Sequence, residues 1–143
     1  MCGIAGAIHR DGVRERVQRM CDAIAHRGPD DEGVYQDGDV AIGMRRLAII
    51  DVAGGHQPLG NEDGTVWVVF NGEIYNHRHL RAELQRAGHV FRTNSDTEVL
   101  VHLYEQAGPE GFARLSGVVA FAIWGARRRR LGIARGRVGL QPP

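Results

Sequence analysis

A cysteine stands directly after the initiator Met1, and no residue in the chain offers more chemistry. Cysteine is small enough for Met1 to be removed, which would leave Cys2 carrying both a thiol and a free α-amine. Thiols and α-amines ordinarily titrate at about 8.5 and 8. An α-amine can therefore act as general base for the nucleophile on its own residue. The competing reading is a small core residue at the head of a first strand. A second cluster, Asn71-Gly72-Glu73-Ile74-Tyr75-Asn76, stands where a hydrophobic run ends. A side-chain amide followed by a glycine N–H can stabilise an oxyanion with two neutral donors. Asn-Gly is also a strong hairpin signal, and taken alone the hexapeptide reads better as a turn.

Other polar residues say less by themselves. Arg45-Arg46 could hold a carboxylate with a bidentate fork, although an isolated arginine pair reads first as surface. Asp96 is suited to the first position of a helix whatever the protein does. His77 and His79 have a ligand-like spacing, but no Cys, Asp or Glu nearby completes a zinc pattern, so no metal site is expected. Arg127 to Arg130 lacks the interleaved aromatics that would stack bases and reads as a solvated hairpin tip.

These residues need elements to position them. Cys2 to Ile8 is small and apolar, as a buried strand would be, and Asp11-Gly12 turns the chain. Val17, Met20, Cys21 and Ile24 form a helical stripe, which Gly28-Pro29 stops. Val40 to Met44, Leu47 to Ile50 and Val66 to Phe70 read as antiparallel strands, the last following an Asp63-Gly64 turn. Asn76 caps a helix with Leu80, Leu84 and Ala87 on its apolar side, ended by Gly88. Ser95 and Glu98 suggest a capping box for a helix with Val99, Leu100, Leu103 and Ala107 on one face. Val118 to Trp124 is a continuous apolar strand, with Leu131 to Ala134 as its hairpin partner. Strands, hairpins and helices without regular βαβ alternation suggest an α+β layered sandwich.

The bulk properties agree with one folded domain spanning residues 1–143. At 43% hydrophobic and 24% charged residues the chain is neither disordered nor fibrous. A chain of this size buries about two-thirds of its unfolded surface, enough for a core without staples. The formal net charge of +1 argues against a nucleic-acid partner held by bulk charge. All 18 Lys and Arg residues are arginine, a bias that says nothing about partners. Two cysteines, Cys2 and Cys21, make no disulfide framework. The longest uncharged run suited to strand or helix, Leu115 to Ala126, is too short for a membrane span. No signal peptide is legible at the N-terminus. A reducing, cytoplasmic setting is expected.

Taken in order, six motifs resemble one family: Met1-Cys2-Gly3-Ile4, His26-Arg27-Gly28-Pro29-Asp30, Arg46-Leu47-Ala48-Ile49-Ile50-Asp51, Gln57-Pro58-Leu59, Asn71 to Asn76, and Ser95-Asp96-Thr97-Glu98. The sequence resembles the N-terminal glutaminase domain of glutamine-hydrolysing asparagine synthetases, a class II glutamine amidotransferase of the N-terminal nucleophile fold. The resemblance implies a four-layer αββα sandwich with two antiparallel sheets. It implies Cys2 as nucleophile with its amine as base, and Asn71 and Gly72 as oxyanion donors. Arg46 would pair with the glutamine α-carboxylate, and Glu73 and Asp96 with its α-ammonium. Backbone groups of Leu47, Ala48, Ile49 and Ile50 would line the same pocket. His26 and Arg27 would fix the loop around the nucleophile.

The same resemblance sets expectations for what lies elsewhere. L-Glutamine is the expected ligand, and no cofactor is expected in this chain. ATP and Mg²⁺ would belong to a synthetase domain, whose Ser-Gly-Gly-Leu-Asp-Ser loop has no counterpart here. That partner domain or chain would receive the ammonia. The amidotransferase domain of a related enzyme with another acceptor, and a catalytically silent remnant, are the alternatives. Gly125, Gly136, Gln141 and Pro143 depart from the family pattern, and the domain is expected to be short at its C-terminus.

Overall fold

Side chains alternate between faces along a strand, and three strands show how this sequence uses that alternation. The computed structural model describes residues 2–48 and 54–136. Strand β3 (Val40–Arg46) turns Val40, Ile42 and Met44 to one side and Ala41 to the other. Strand β5 (Val66–Ile74) sends Val66, Val68 and Phe70 one way and Val69 the other. Strand β6 (Gly117–Gly125) splits Phe121 and Ile123 from Ala122 and Trp124 in the same manner. Three apolar layers result. The central one, holding Ile42, Met44, Val69 and Trp124, is where two sheets meet face to face.

The first sheet has the order β1-β3-β2, with β1 spanning Gly3–Ile8 and β2 spanning Asp31–Asp37. The second has the order β4-β5-β6-β7, with β4 at Leu59–Gly60 and β7 at Arg130–Arg135. Every strand pairing among the described residues is antiparallel. Helix α1 (Val13–Ala23) covers the outer face of the first sheet through Val13, Val17 and Cys21. Helices α2 (His77–Arg86) and α3 (Glu98–Ala107) cover the second through Leu80, Leu84, Leu100 and Leu103. The order helix, sheet, sheet, helices is the expected αββα sandwich.

Several local expectations change. Met20 is exposed, because α1 lies so close to the sheet that a Cβ on Gly43 would stand 2.8 Å from Val17 Cγ1 and 2.9 Å from Cys21 Sγ. A narrow stripe is covered and Met20 falls at its flank. Ala107 is likewise exposed at the end of α3. Strand β2, too polar to show alternation, pairs in full with β3. Residues 47 and 48 do not extend a strand, and Ile49 and Ile50 lie outside the described residues. Asn71-Gly72 makes no turn: both residues continue β5, opposite Ala120 and Val119. Asn76 stands at the N-cap of α2 and Gly88 just past its end, as expected, but the side-chain capping bonds do not form. Asn76 instead donates to the Arg114 carbonyl (2.9 Å) and accepts from the Ser116 amide (3.0 Å), so it ties α2 to the segment entering β6.

Ser95 and Glu98 form no capping box, because α3 begins at Glu98 itself. Ser95 Oγ accepts from the Thr97 amide at 3.2 Å. The buried Glu98 carboxylate turns back, accepting from the amides of Arg92 and Thr93 (2.8 Å each) and from Thr93 Oγ1 at 2.6 Å. Of the family departures, Gly125 makes room for an aromatic ring, since a Cβ there would meet the Tyr104 hydroxyl at 2.8 Å. Gly136 continues the β6–β7 ladder by donating its N–H to the Val119 carbonyl at 2.7 Å. Gln141 and Pro143 lie outside the described residues.

Two glycines close the β5–β6 pair at its upper end. Gly72 (φ 150°) and Gly117 (φ 153°) hold conformations that side chains rarely adopt. A Cβ would lie 1.9 Å from the Val118 carbonyl oxygen at Gly72, and 2.1 Å from that of Glu73 at Gly117. Gly117→Ala is therefore expected to cost about 2–4 kcal/mol by denaturant melt, the scale of a forced backbone conformation with overpacking. An unchanged midpoint would show that the strands can splay there freely.

Candidate active site

Cys2 sits just ahead of β1, and the antiparallel β1–β3 register pairs Gly3 with Arg45. That register carries the end of β3 past the thiol. Cys2 Sγ receives the Leu47 N–H at 3.3 Å, and its S–H donates to the Leu47 carbonyl at 3.6 Å. Leu47 has no strand partner because its backbone serves the sulfur instead. Arg27 completes the support by donating from Nε to the Cys2 carbonyl at 3.2 Å.

The Arg-Gly-Pro-Asp motif is a brace for this junction. A Cβ on Gly28 would stand 2.3 Å from the Arg45 carbonyl carbon, so only glycine allows the loop to lie against β3. Pro29 bridges Arg46 in parallel fashion, and the Asp30 amide donates to the Arg46 carbonyl at 3.1 Å. Asp30 Oδ2 then accepts from the Ala48 amide at 2.9 Å. Three successive residues, Gly28 to Asp30, thus fix the exit of β3. His26 beside them is exposed.

A cleft of about 270 Å³ opens at this end of the two sheets. It is lined by Cys2, Arg46, Leu47, Asn71, Gly72, Glu73 and Asp96, all anticipated from the sequence. Ala48 is occupied with Asp30 rather than lining the cleft. Gln57, Phe70, Tyr75, Ser95, Thr97 and Val118, none of them assigned to the site from the sequence, complete the walls. Gln57 had a usable signal, its place in Gln-Pro-Leu. Its Oε1 accepts from the Phe70 amide at 2.6 Å, and its Nε2 reaches Thr97 Oγ1 at 3.3 Å. It thereby joins β5 to the loop that carries Asp96.

The arginine pair divides. Arg45 donates to the Gly28 carbonyl and pairs with Glu32, whereas Arg46 is buried and lines the cleft. Asp96 lies ahead of α3 rather than on it, 5% exposed, with Oδ2 accepting from the Ile74 amide at 2.9 Å. Burial pushes the Asp96 carboxyl above the ordinary range, against the Ile74 amide and the neighbouring His77, which favour its charged form. One guanidinium, two carboxylates and a partly exposed thiol therefore share one cleft. Such a site suits a small zwitterion presented to a nucleophile. A wider hollow of about 440 Å³ beside Tyr104, Arg127 and Arg130 carries no cysteine on its walls.

The whole chain, residues 1–143, matches the glutamine amidotransferase domain family. The chain belongs to that family. It is 43% identical over 148 residues to asparagine synthetase [glutamine-hydrolyzing] 1 of Bacillus subtilis strain 168, covering 99% of this chain and 23% of the relative. It is also 43% identical over 144 residues to asparagine synthetase [glutamine-hydrolyzing] 1 of Arabidopsis thaliana, covering 98% of this chain and 24% of that one. The chain thus spans about a quarter of the length of the relatives it matches. Glutamine phosphoribosylpyrophosphate amidotransferase from B. subtilis shares the fold, with a TM-score of 0.81 at 23% identity over 99% of this chain and 38% of that one. The sandwich of this glutamine amidotransferase domain is thus that of the N-terminal nucleophile enzymes. No helix among its described residues is long and apolar enough to cross a membrane.

The two cysteines of the domain differ in kind. Burial, with Asp22 and Glu32 adding to it, pushes the Cys21 thiol up to about 11, as befits the core residue expected under α1. A thiol reagent at neutral pH is expected to label one cysteine in the native chain, and none in native Cys2→Ala. Labelling of Cys21 without denaturant would show that α1 opens. Asp96 gives a second prediction, because its raised pKa makes the ionised form a cost to folding at neutral pH. Asp96→Asn is expected to melt at or above the wild-type temperature at pH 7. The wild type should gain on it as pH falls through the raised Asp96 pKa towards the ordinary aspartate value.

Proposed function

We propose that this domain hydrolyses L-glutamine to glutamate and ammonia, with Cys2 as nucleophile once Met1 is removed. The observation that carries the reading is the convergence of Cys2, Arg46, Asn71, Gly72, Glu73 and Asp96 on one cleft from four segments far apart in the chain. Arg46 receives the α-carboxylate, and Glu73 with Asp96 receives the α-ammonium. Those contacts leave the side-chain carboxamide to reach the sulfur. A site that pairs both charged ends rejects simple amides, because they would leave its buried charges unpaired.

The Cys2 α-amine takes the thiol proton, directly or through a water, and the sulfur attacks the carboxamide carbon. The Asn71 side-chain amide and the Gly72 N–H hold the oxyanion. Collapse of the tetrahedral intermediate expels ammonia, with the proton returned by the amine, and leaves a thioester. Water attacks next, releasing glutamate and restoring the thiol. None of these steps requires a cofactor. The Leu47 N–H donates to the sulfur at 3.3 Å and so fixes where the nucleophile stands in the cleft. The relatives' names support an asparagine-synthetase-type destination for the ammonia, by amidation of aspartate at an ATP- and Mg²⁺-dependent domain outside this sequence. The cytoplasm suits the free thiol this chemistry needs.

Glutamate release by the purified chain, with the N-terminal mass determined alongside, tests the reading. Activity is expected only with Cys2 at the N-terminus and is expected to vanish in Cys2→Ala. Asn71→Ala should lower kcat about 10²–10³-fold, the cost of one oxyanion donor. Glutamine binding to Cys2→Ala should weaken on acidification before ordinary aspartates protonate, since the raised Asp96 pKa removes an anion early. Full turnover by Cys2→Ala would sink the mechanism.

A further inference from the structure

On the side of the second sheet covered by the helices, four side chains from three segments converge away from the cleft residues. Glu62 comes from the β4–β5 turn, His89 from the α2–α3 link, and His102 and Glu105 from one face of α3. One ligand atom from each lies within 4.8 Å of all the others. His102 Nδ1 is 3.4 Å from Glu62 Oε2 and 3.6 Å from Glu105 Oε2, and His89 Nδ1 is 3.4 Å from Glu105 Oε2. Ligands at about 2.1 Å around a tetrahedral zinc stand about 3.4 Å apart. Three of the six edges of this cluster lie at 3.4–3.6 Å, close to that length.

The decisive group is His102. Its side chain is 0% exposed, yet neither ring nitrogen has a hydrogen-bond partner among the described residues. A buried imidazole ordinarily finds partners, because burying a polar group without them is costly. Phe91 packs against the ring, with centroids 4.4 Å apart, and Nδ1 lies beside the Glu62 and Glu105 carboxylates. Nε2 faces the other way, 3.7 Å from Glu98 Oε1. A metal-bound histidine is commonly backed by a carboxylate on its second nitrogen. Arg92, whose guanidinium reaches this corner, is engaged by the carbonyls of Gly60 and Asn61 at 2.9 and 3.1 Å.

We propose that Glu62, His89, His102 and Glu105 form a binding site for one structural Zn²⁺ or a similar divalent transition ion. Two neutral imidazoles and two carboxylates balance the charge of such an ion and suit its borderline softness. The ion clips the β4–β5 turn and the α2–α3 link to α3. Its role is to hold the helix whose first turn follows Asp96 and Thr97, with the cleft left to its own chemistry.

The test is equilibrium dialysis of the chelator-treated chain against Zn²⁺, followed by metal analysis and thermal melts. One Zn²⁺ per chain is expected, with a melting temperature that rises with Zn²⁺ concentration. Cys2→Ala should bind equally, which separates this site from zinc captured by the cleft thiol. His89→Ala and Glu105→Gln, both at partly exposed positions, should weaken binding at least tenfold and lose the thermal shift. Should His89→Ala fail to fold, Glu105→Gln carries the comparison alone. Absence of binding in the wild type, binding that survives both substitutions, or its loss in Cys2→Ala would each overturn the assignment.

Discussion

A short side chain at residue 2 can work in a cleft only if its backbone is held against something that ends at the same edge. The β1–β3 pairing provides this, setting Gly3 opposite Arg45 so that Leu47 runs alongside the Cys2 sulfur. The other contacts follow from that junction. Gly28 to Asp30 brace the exit of β3, Arg27 holds the Cys2 carbonyl, and Arg46 enters the cleft instead of solvent. The facing sheet adds Asn71 and Gly72 because its central-layer side chains pack on those of β3. Around the thiol the site is built at a strand end, where the Leu47 backbone is no longer committed to ladder bonds, whereas Asn71 and Gly72 enter it from within the paired β5.

The Asp96 loop obeys a different constraint. Its carboxylate is buried with a raised pKa, a cost that a loop free to relax would avoid. The loop is held by Glu98, which accepts three hydrogen bonds from residues 92 and 93, and by Gln57 reaching Thr97. Burial also raises the Glu98 carboxyl, but the nearby His102 ring, 3.7 Å away, together with the hydrogen bonds from Thr93 and the two amides, outweighs it and brings it down to about 2. Rigidity on the far side of the loop thus keeps an unfavourable charge on the near side, a common trade between stability and function. The proposed zinc site extends the same scaffold one turn further along α3.

Local sequence determined much of this protein. The β-branched apolar content of Val40 to Met44 and Val66 to Phe70 and the helical spacing under α2 and α3 marked the elements, because burial leaves its trace in residue type and period. Ordered motifs pointed to Cys2, Arg46, Asn71, Gly72, Glu73 and Asp96, all of which line the cleft. Tertiary structure decided what periodicity cannot carry. Asn71-Gly72 became strand rather than turn because Gly72 and Gly117 let β5 and β6 approach closely. Ser95 and Glu98 left the capping role because the loop at 92–93 offered Glu98 three donors. The roles of Gln57 and of the cluster around His102 depend on residues far apart in the chain, which meet only when the second sheet and its helices pack. Spacing along a chain reports the surface an element buries; which groups then share that burial is fixed by the packing of elements against one another.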